Sequence, residues 1–148
     1  MEYVRNDDLE GVKNCLKNEA NTHIGNDALQ LAAGLGHLEI TKYLLEKGAD
    51  VHASYDNQLR SSAFNGHLDI VKCLLENGAH IHTLDDCALR WSACNGYIEV
   101  VKYLLKNGAD IHAKDDEALR LATKNNKQDV VDFLTNYRPI TRIKSARN

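Results

Sequence analysis

The segment Gln58-Leu59-Arg60-Ser61-Ser62-Ala63-Phe64-Asn65-Gly66-His67-Leu68-Asp69-Ile70-Val71-Lys72-Cys73-Leu74-Leu75-Glu76-Asn77-Gly78-Ala79 sets the reading of the whole chain. It has a close copy within Ala88–Ala113, with Leu89, Arg90, Asn95-Gly96 and Gly108-Ala109 in matching register. Gly36, Gly66 and Gly96 fall 30 residues apart, and so do Gly48, Gly78 and Gly108. Leu29, Leu59, Leu89 and Leu119 keep the same step. A fixed period of this size is the signature of a stacked repeat.

Within one unit the pattern predicts two short helices. The first starts near Asn57 and ends at Asn65-Gly66, where glycine suits a helix C-terminus. The second carries Leu68, Val71, Leu74 and Leu75 on one stripe and stops at Gly78. Ala79-His80-Ile81-His82 then leads into the next unit, as do Ala49–His52 and Ala109–His112. A unit of this size offers Leu59, Ala63, Leu68, Ile70, Val71, Leu74, Leu75 and Ile81 as its core. Their burial alone does not offset the conformational entropy of ordering the unit, so each unit needs neighbours. The expected architecture is all-α, a solenoid of helix-turn-helix units.

Composition agrees with an ordinary folded domain. The chain has 148 residues, 43% hydrophobic and 26% charged, with a net charge of −3. That balance gives no global pull towards nucleic acid or an anionic membrane. No apolar run reaches the roughly 18–20 residues of a membrane span. The first eight residues lack the apolar stretch of a secretory signal. Cys15, Cys73, Cys87 and Cys94 form no C-x-x-C pair and read as free thiols in a reducing compartment. An intracellular location, most simply the cytoplasm, with the nucleus as alternative, is expected.

The strings Asn65-Gly66-His67-Leu68-Asp69-Ile70-Val71-Lys72 and Leu104-Leu105-Lys106-Asn107-Gly108-Ala109-Asp110-Ile111 resemble the second half of an ankyrin repeat. The resemblance recurs in register over about residues 8–136. It departs from the family in period, which is commonly 33, and in the T-P-L-H opening of the first helix. Those positions here read Asp27-Ala28-Leu29-Gln30, Asn57-Gln58-Leu59-Arg60, Cys87-Ala88-Leu89-Arg90 and Glu117-Ala118-Leu119-Arg120. The missing residues come out of the β-hairpin finger, so shortened fingers are expected. This short form, with D-D-x-A-L-R and G-A-D-I-H-A, resembles the ankyrin families of giant DNA viruses of amoebae. That resemblance implies a viral adaptor or decoy acting on a host protein.

The array is expected to span residues 1–136. It comprises a half repeat at 8–23 and repeats at about 24–53, 54–83, 84–113 and 114–136. At the C-terminal end Lys127 and Gln128 replace the usual histidine and leucine, which suits a capping unit. Residues 137–148 hold four basic residues and no acid, and read as a solvated tail or a docking segment.

Three sets of side chains bear on function. Arg60, Arg90 and Arg120 each follow Asp56, Asp86 and Asp116 by four residues, with Gln30 and Asn26 in the first unit. Asp at a helix start and Arg one turn on form a favourable pair, so an Asp–Arg brace is expected. A basic stripe gripping an acidic partner is the functional alternative. His23, His52, His82 and His112 form a second ladder. Equivalent residues of stacked units sit roughly 8–10 Å apart, too far to share a zinc ion held at about 2 Å. No metal and no cofactor are expected. In the resembled family the ladder position is usually Asn, within a site for the factor-inhibiting asparaginyl hydroxylase. Leu44, Asp50 and Val51 before His52, and Leu104, Asp110 and Ile111 before His112, match that site's spacing. His52 and His112 are thus candidate hydroxylation sites, or turn residues tying neighbours by hydrogen bonds. His37 and His67 are expected to bond backbone across units, with Tyr97 in the third copy.

No catalytic constellation is present: no G-x-S-x-G, phosphate loop or H-E-x-x-H. Core positions are fixed by stacking, so binding belongs where units differ on an exposed face. The resembled family uses its concave side. Here that maps onto Tyr55, Gln58, Phe64, Asn65, Leu84, Asp85, Trp91, Cys94, Asn95 and Lys124. Tyr55 and Phe64 stand out as anchors, because aromatic side chains make good interface contacts; Trp91 reads first as a half-buried packing residue and second as a contact. The expected partner is another protein, with no small-molecule substrate, nucleic acid or membrane, and the chain is expected to be a monomer.

Overall fold

A computed structural model describes residues 1–17 and 22–138, without the side chains of 22–24. Part of the expected half repeat, the ladder residue His23 and tail residues 139–148 therefore lie outside the described side chains or residues. Among the described residues there are ten helices and no strand. Those of the first-helix row are α3 (Thr22–Leu35), α5 (Ala53–Phe64), α7 (Thr83–Asn95) and α9 (Ala113–Lys124). The second-helix row is α2 (Leu9–Lys17), α4 (Leu38–Glu46), α6 (Leu68–Glu76), α8 (Ile98–Lys106) and α10 (Gln128–Asn136). Ahead of them, α1 (Glu2–Arg5) is a single turn that buries Val4 and packs on α2 and α3.

The leucine and alanine register explains the packing. Leu29, Leu59 and Leu89 are fully buried, as are Ile40, Ile70 and Val100 on the second helices. Ala33, Ala63 and Ala93, in one register and all buried, let consecutive first helices approach closely. Neighbouring second helices touch only sparsely. A stack tight along one row and loose along the other curves, so the first-helix side is concave. The buried residues join into a long cluster from Ala33 to Leu134 and a smaller one around Val4, Val12, Leu29 and Leu44.

Each first helix ends in the same way. The N–H groups of His37, His67, Tyr97 and Lys127 donate back to carbonyls five residues earlier, at 2.9–3.0 Å. The residue before each is left-handed: Gly36, Gly66 and Gly96, then Asn126. Gly66 is needed twice over. Its φ is +79, and a Cβ there would lie 2.5 Å from the ring of Tyr97 in the next unit.

The fingers are shortened so far that no hairpin is left. Where it would stand, three consecutive residues are left-handed: Ser54-Tyr55-Asp56, Leu84-Asp85-Asp86 and Lys114-Asp115-Asp116. The right-handed body of α5 therefore starts at Asn57, where the sequence places it. A left-handed non-glycine residue costs about 1–2 kcal/mol, hence about 3–6 kcal/mol per turn. Asp is among the residues that adopt this conformation most readily.

The arginines hold these turns, which corrects the expected Asp–Arg brace. Arg90 donates from Nε to the Asp85 carbonyl at 2.9 Å and from Nη2 to the Leu84 carbonyl at 2.8 Å. Arg120 does the same with Asp115 and Lys114, at 2.9 and 2.8 Å. Hydrogen bonds from a charged donor contribute about 1.5–3 kcal/mol each, so two offset the strain of one turn. Arg90 also pairs with Glu117 of the following unit. Arg60 is the loose copy: it reaches the Ser54 carbonyl at 3.5 Å and its Nε has no partner.

The aspartates work across units instead. Asp56 accepts the His80 N–H at 3.0 Å, Asp86 accepts the Asp110 N–H at 2.9 Å, and Asn26 accepts the Asp50 N–H at 2.7 Å. Asp56 and Asp86 close left-handed turns whereas Asn26 lies within α3, yet each reaches 24 residues ahead to the next unit.

Candidate functional site

The first-helix side carries the exposed apolar residues that the core does not use. Phe64 ends α5 and Trp91 sits within α7, one unit further on. Their rings meet edge to face at 5.1 Å. Both remain open to solvent, at 39% and 45%. They reach each other because Phe64 and Trp91 face the same seam between two first helices. Such a pair gives a rigid aromatic surface with few rotatable bonds.

Leu35 extends the exposed apolar set at the end of α3, at 45% exposure. The sequence reading missed it. Leu35 occupies the position of Asn65, Asn95 and Asn125, and the break in that asparagine register is the signal that was available. Beside it a shallow groove runs between α1 and the first helices, lined by Met1, Arg5, Gln30, Leu31, Leu35 and Ser61. Tyr55 and Leu84 stand on the left-handed turns and are exposed, Tyr55 at 77%. Asp85 and Lys124 are exposed, and Cys94 is half-buried in the register of Phe64.

One expected contact residue is excluded. Gln58 is 1% exposed, and its amide donates to the carbonyls of Asp50 and Val51 in the preceding turn. Its counterparts Ala28, Ala88 and Ala118 are buried too, so the register is an inward slot that the longer amide fills. Asn65 and Asn95 are constrained in another way. Asn65 Nδ2 donates to the Gly34 carbonyl at 3.0 Å, and Asn95 Nδ2 to the Phe64 carbonyl at 2.7 Å. These amides clip adjacent first helices, and Asn125 reaches Cys94 Sγ at 3.3 Å. The second clip fixes the end of α5 and so holds Phe64 in place.

The histidine ladder lies at the turns. His52, His82 and His112 each place Nδ1 against the aspartate four residues on, at 3.0, 3.1 and 2.6 Å. Through those carboxylates His52 and His82 are linked to the next unit. Burial pushes the Asp56 carboxyl up, but hydrogen bonds from the His80 N–H, the Thr83 hydroxyl and His52 outweigh it, and its pKa lies below the ordinary range. His67 Nε2 lies 3.1 Å from the Gly34 carbonyl, the expected cross-unit bond. His37 instead faces Asp7 at 3.2 Å. Equivalent histidines stay in their own turns, yet His80 stacks on His52 with ring centroids 4.1 Å apart. That meeting joins different register positions, so equal spacing of the ladder could not disclose it.

All four cysteines are free; burial pushes the thiols of Cys73 and Cys87 up. Among the described residues no helix is long and apolar enough to cross a membrane.

Taken together, a curved double row of helices with an exposed seam on its inner side defines a repeat scaffold for binding. The family model for ankyrin repeats, three copies long, matches residues 1–85 and again 59–143, and the chain belongs to the ankyrin-repeat family. Repeats of this family are in general non-catalytic protein–protein interaction modules.

Proposed function

We propose that this chain binds another protein through the concave first-helix face, with Phe64 and Trp91 as anchors. The observation that carries this reading is the exposed edge-to-face aromatic pair at the seam of α5 and α7. Aromatic side chains dominate binding energy at interfaces, and this pair is held in position by the Asn95 clip. Leu35, Tyr55, Leu84, Asp85, Cys94 and Lys124 supply the surrounding contact surface. Because the fingers are reduced to turns, the first-helix face carries more of the contact than the finger tips. The finer role, a viral adaptor or decoy acting on a host protein in the cytoplasm as a monomer, rests on the short-repeat resemblance. The double variant Phe64→Ser, Trp91→Ser tests the surface. Capture of a partner identified by proximity labelling is lost, while stability falls by only about 1 kcal/mol. Undiminished capture contradicts the assignment.

A second reading makes the chain a substrate or sink for the ankyrin hydroxylase at His52 and His112. Its support is that both rings are exposed at the matched spacing. Intact mass after treatment with the hydroxylase gains one oxygen if it is right and is unchanged if it is wrong.

A further inference from the structure

His80 breaks the register of its own protein. The equivalent positions hold Asp50 and Asp110, whose carboxylates accept the N–H of His52 and His112 at 2.8 and 2.9 Å. A histidine at position 80 gives up that local turn bond. In exchange it brings a second imidazole to the carboxylate of Asp56. His52 Nδ1 lies 3.0 Å from Asp56 Oδ1, and His80 Nδ1 lies 3.7 Å from Asp56 Oδ2. Among the described residues this trio alone forms a group whose donor atoms all lie within 4.8 Å of one another.

From this geometry we propose that His52, Asp56 and His80 form a binding site for a divalent zinc-class ion that links two successive repeats. Two imidazoles and one carboxylate are a ligand set that zinc accepts, with water completing a tetrahedron. Zinc bonds of about 2.0–2.2 Å put the donors about 3.4 Å apart. The trio, spread over up to 4.8 Å, therefore needs to close by up to about 1.4 Å, which rotation of two solvent-exposed rings supplies. The third ligand is already fixed. Asp56 is 3% exposed and is oriented by the His80 N–H and by the Thr83 hydroxyl at 2.8 Å. A carboxylate offers about four acceptor sites, so it keeps both bonds while an ion replaces the His52 contact. Outer hydrogen bonds of this kind orient ligating groups in metal sites. The next turn supplies a built-in contrast. His82 pairs with Asp86, but the residue 24 positions beyond Asp86 is Asp110, so no second imidazole arrives.

The test is titration of the full chain with zinc chloride under non-thiol reductant, read by calorimetry and by thermal unfolding against an EDTA control. One equivalent binds saturably and raises the unfolding midpoint by several degrees. His80→Asn restores a turn-capping acceptor that zinc ignores, and so folds. It weakens zinc binding by about tenfold or more, as does His52→Asn, whereas His82→Asn binds like the parent. Absence of saturable binding by the parent chain overturns the proposal. So does parental affinity in both His80→Asn and His52→Asn, which places the zinc elsewhere.

Discussion

A single buried carboxylate shows how this repeat couples its units. Asp56 takes a backbone N–H from the next turn, a hydroxyl from Thr83 and an imidazole from His52. Its pKa is held below the ordinary value, so its stabilising contribution is complete above about pH 3.9. That contribution is lost as pH falls through the lower folded pKa. Asn26 already performs the cross-unit task in the first repeat without a charge. Asp56→Asn therefore keeps the backbone bond but removes the titration. Its unfolding midpoint should fall less steeply than the parent's as the pH drops below about 4. Parallel acid curves for the two proteins would contradict this. The sequence placed Asp56 at a turn, but local rules paired it with Arg60. Two of its three partners, His80 and Thr83, are 24 and 27 residues away, beyond the reach of any local pairing rule. Gln58 failed for a different reason. Its departure from the repeat reads as exposure, whereas the alanines in its register mark a buried slot.

At the level of the element, the helix pairs were legible and the turns were not. Periodic leucines mark the helix pairs, and glycines mark the ends of α3 to α8 to within a few residues. A run of three left-handed residues has no simple sequence signal, because an arginine six residues away makes it affordable. The Asp-Asp pairs at 85–86 and 115–116 are the only hint. Two variants test this account. Ser54→Gly removes one left-handed side chain from an exposed position, and should stabilise by about 0.5–1 kcal/mol after the entropic cost of glycine. Ser54→Val should destabilise by a similar amount. Arg90→Ala strips the turn carbonyls and leaves Glu117 without its partner, and should cost about 3 kcal/mol in urea unfolding. Arg120→Ala should cost less, because that side chain is exposed and bonds only within its own turn. Equal losses from both, or none from Arg90→Ala, would contradict the stapling role.

Across the whole molecule, function follows from which face the repeat leaves unspent. The stack consumes the leucine and alanine registers in its core and the asparagine and aspartate registers in clips between units. What remains variable and exposed on the inner side is Leu35, Phe64 and Trp91, with Tyr55 and Leu84 on the turns. The sequence identified Phe64 and Trp91 as variable, but not that they touch, since their meeting depends on the rise between units. Leu35 was hidden because it looked like an ordinary helix-end leucine. The most direct measurement is site-specific photo-crosslinking in cells expressing the chain, with the crosslinker at Phe64 or at Lys102. Lys102 is exposed on α8, in the second-helix row. The concave-face account predicts a discrete crosslinked partner from position 64 and none from position 102. Crosslinking from position 102 with none from position 64 would contradict it.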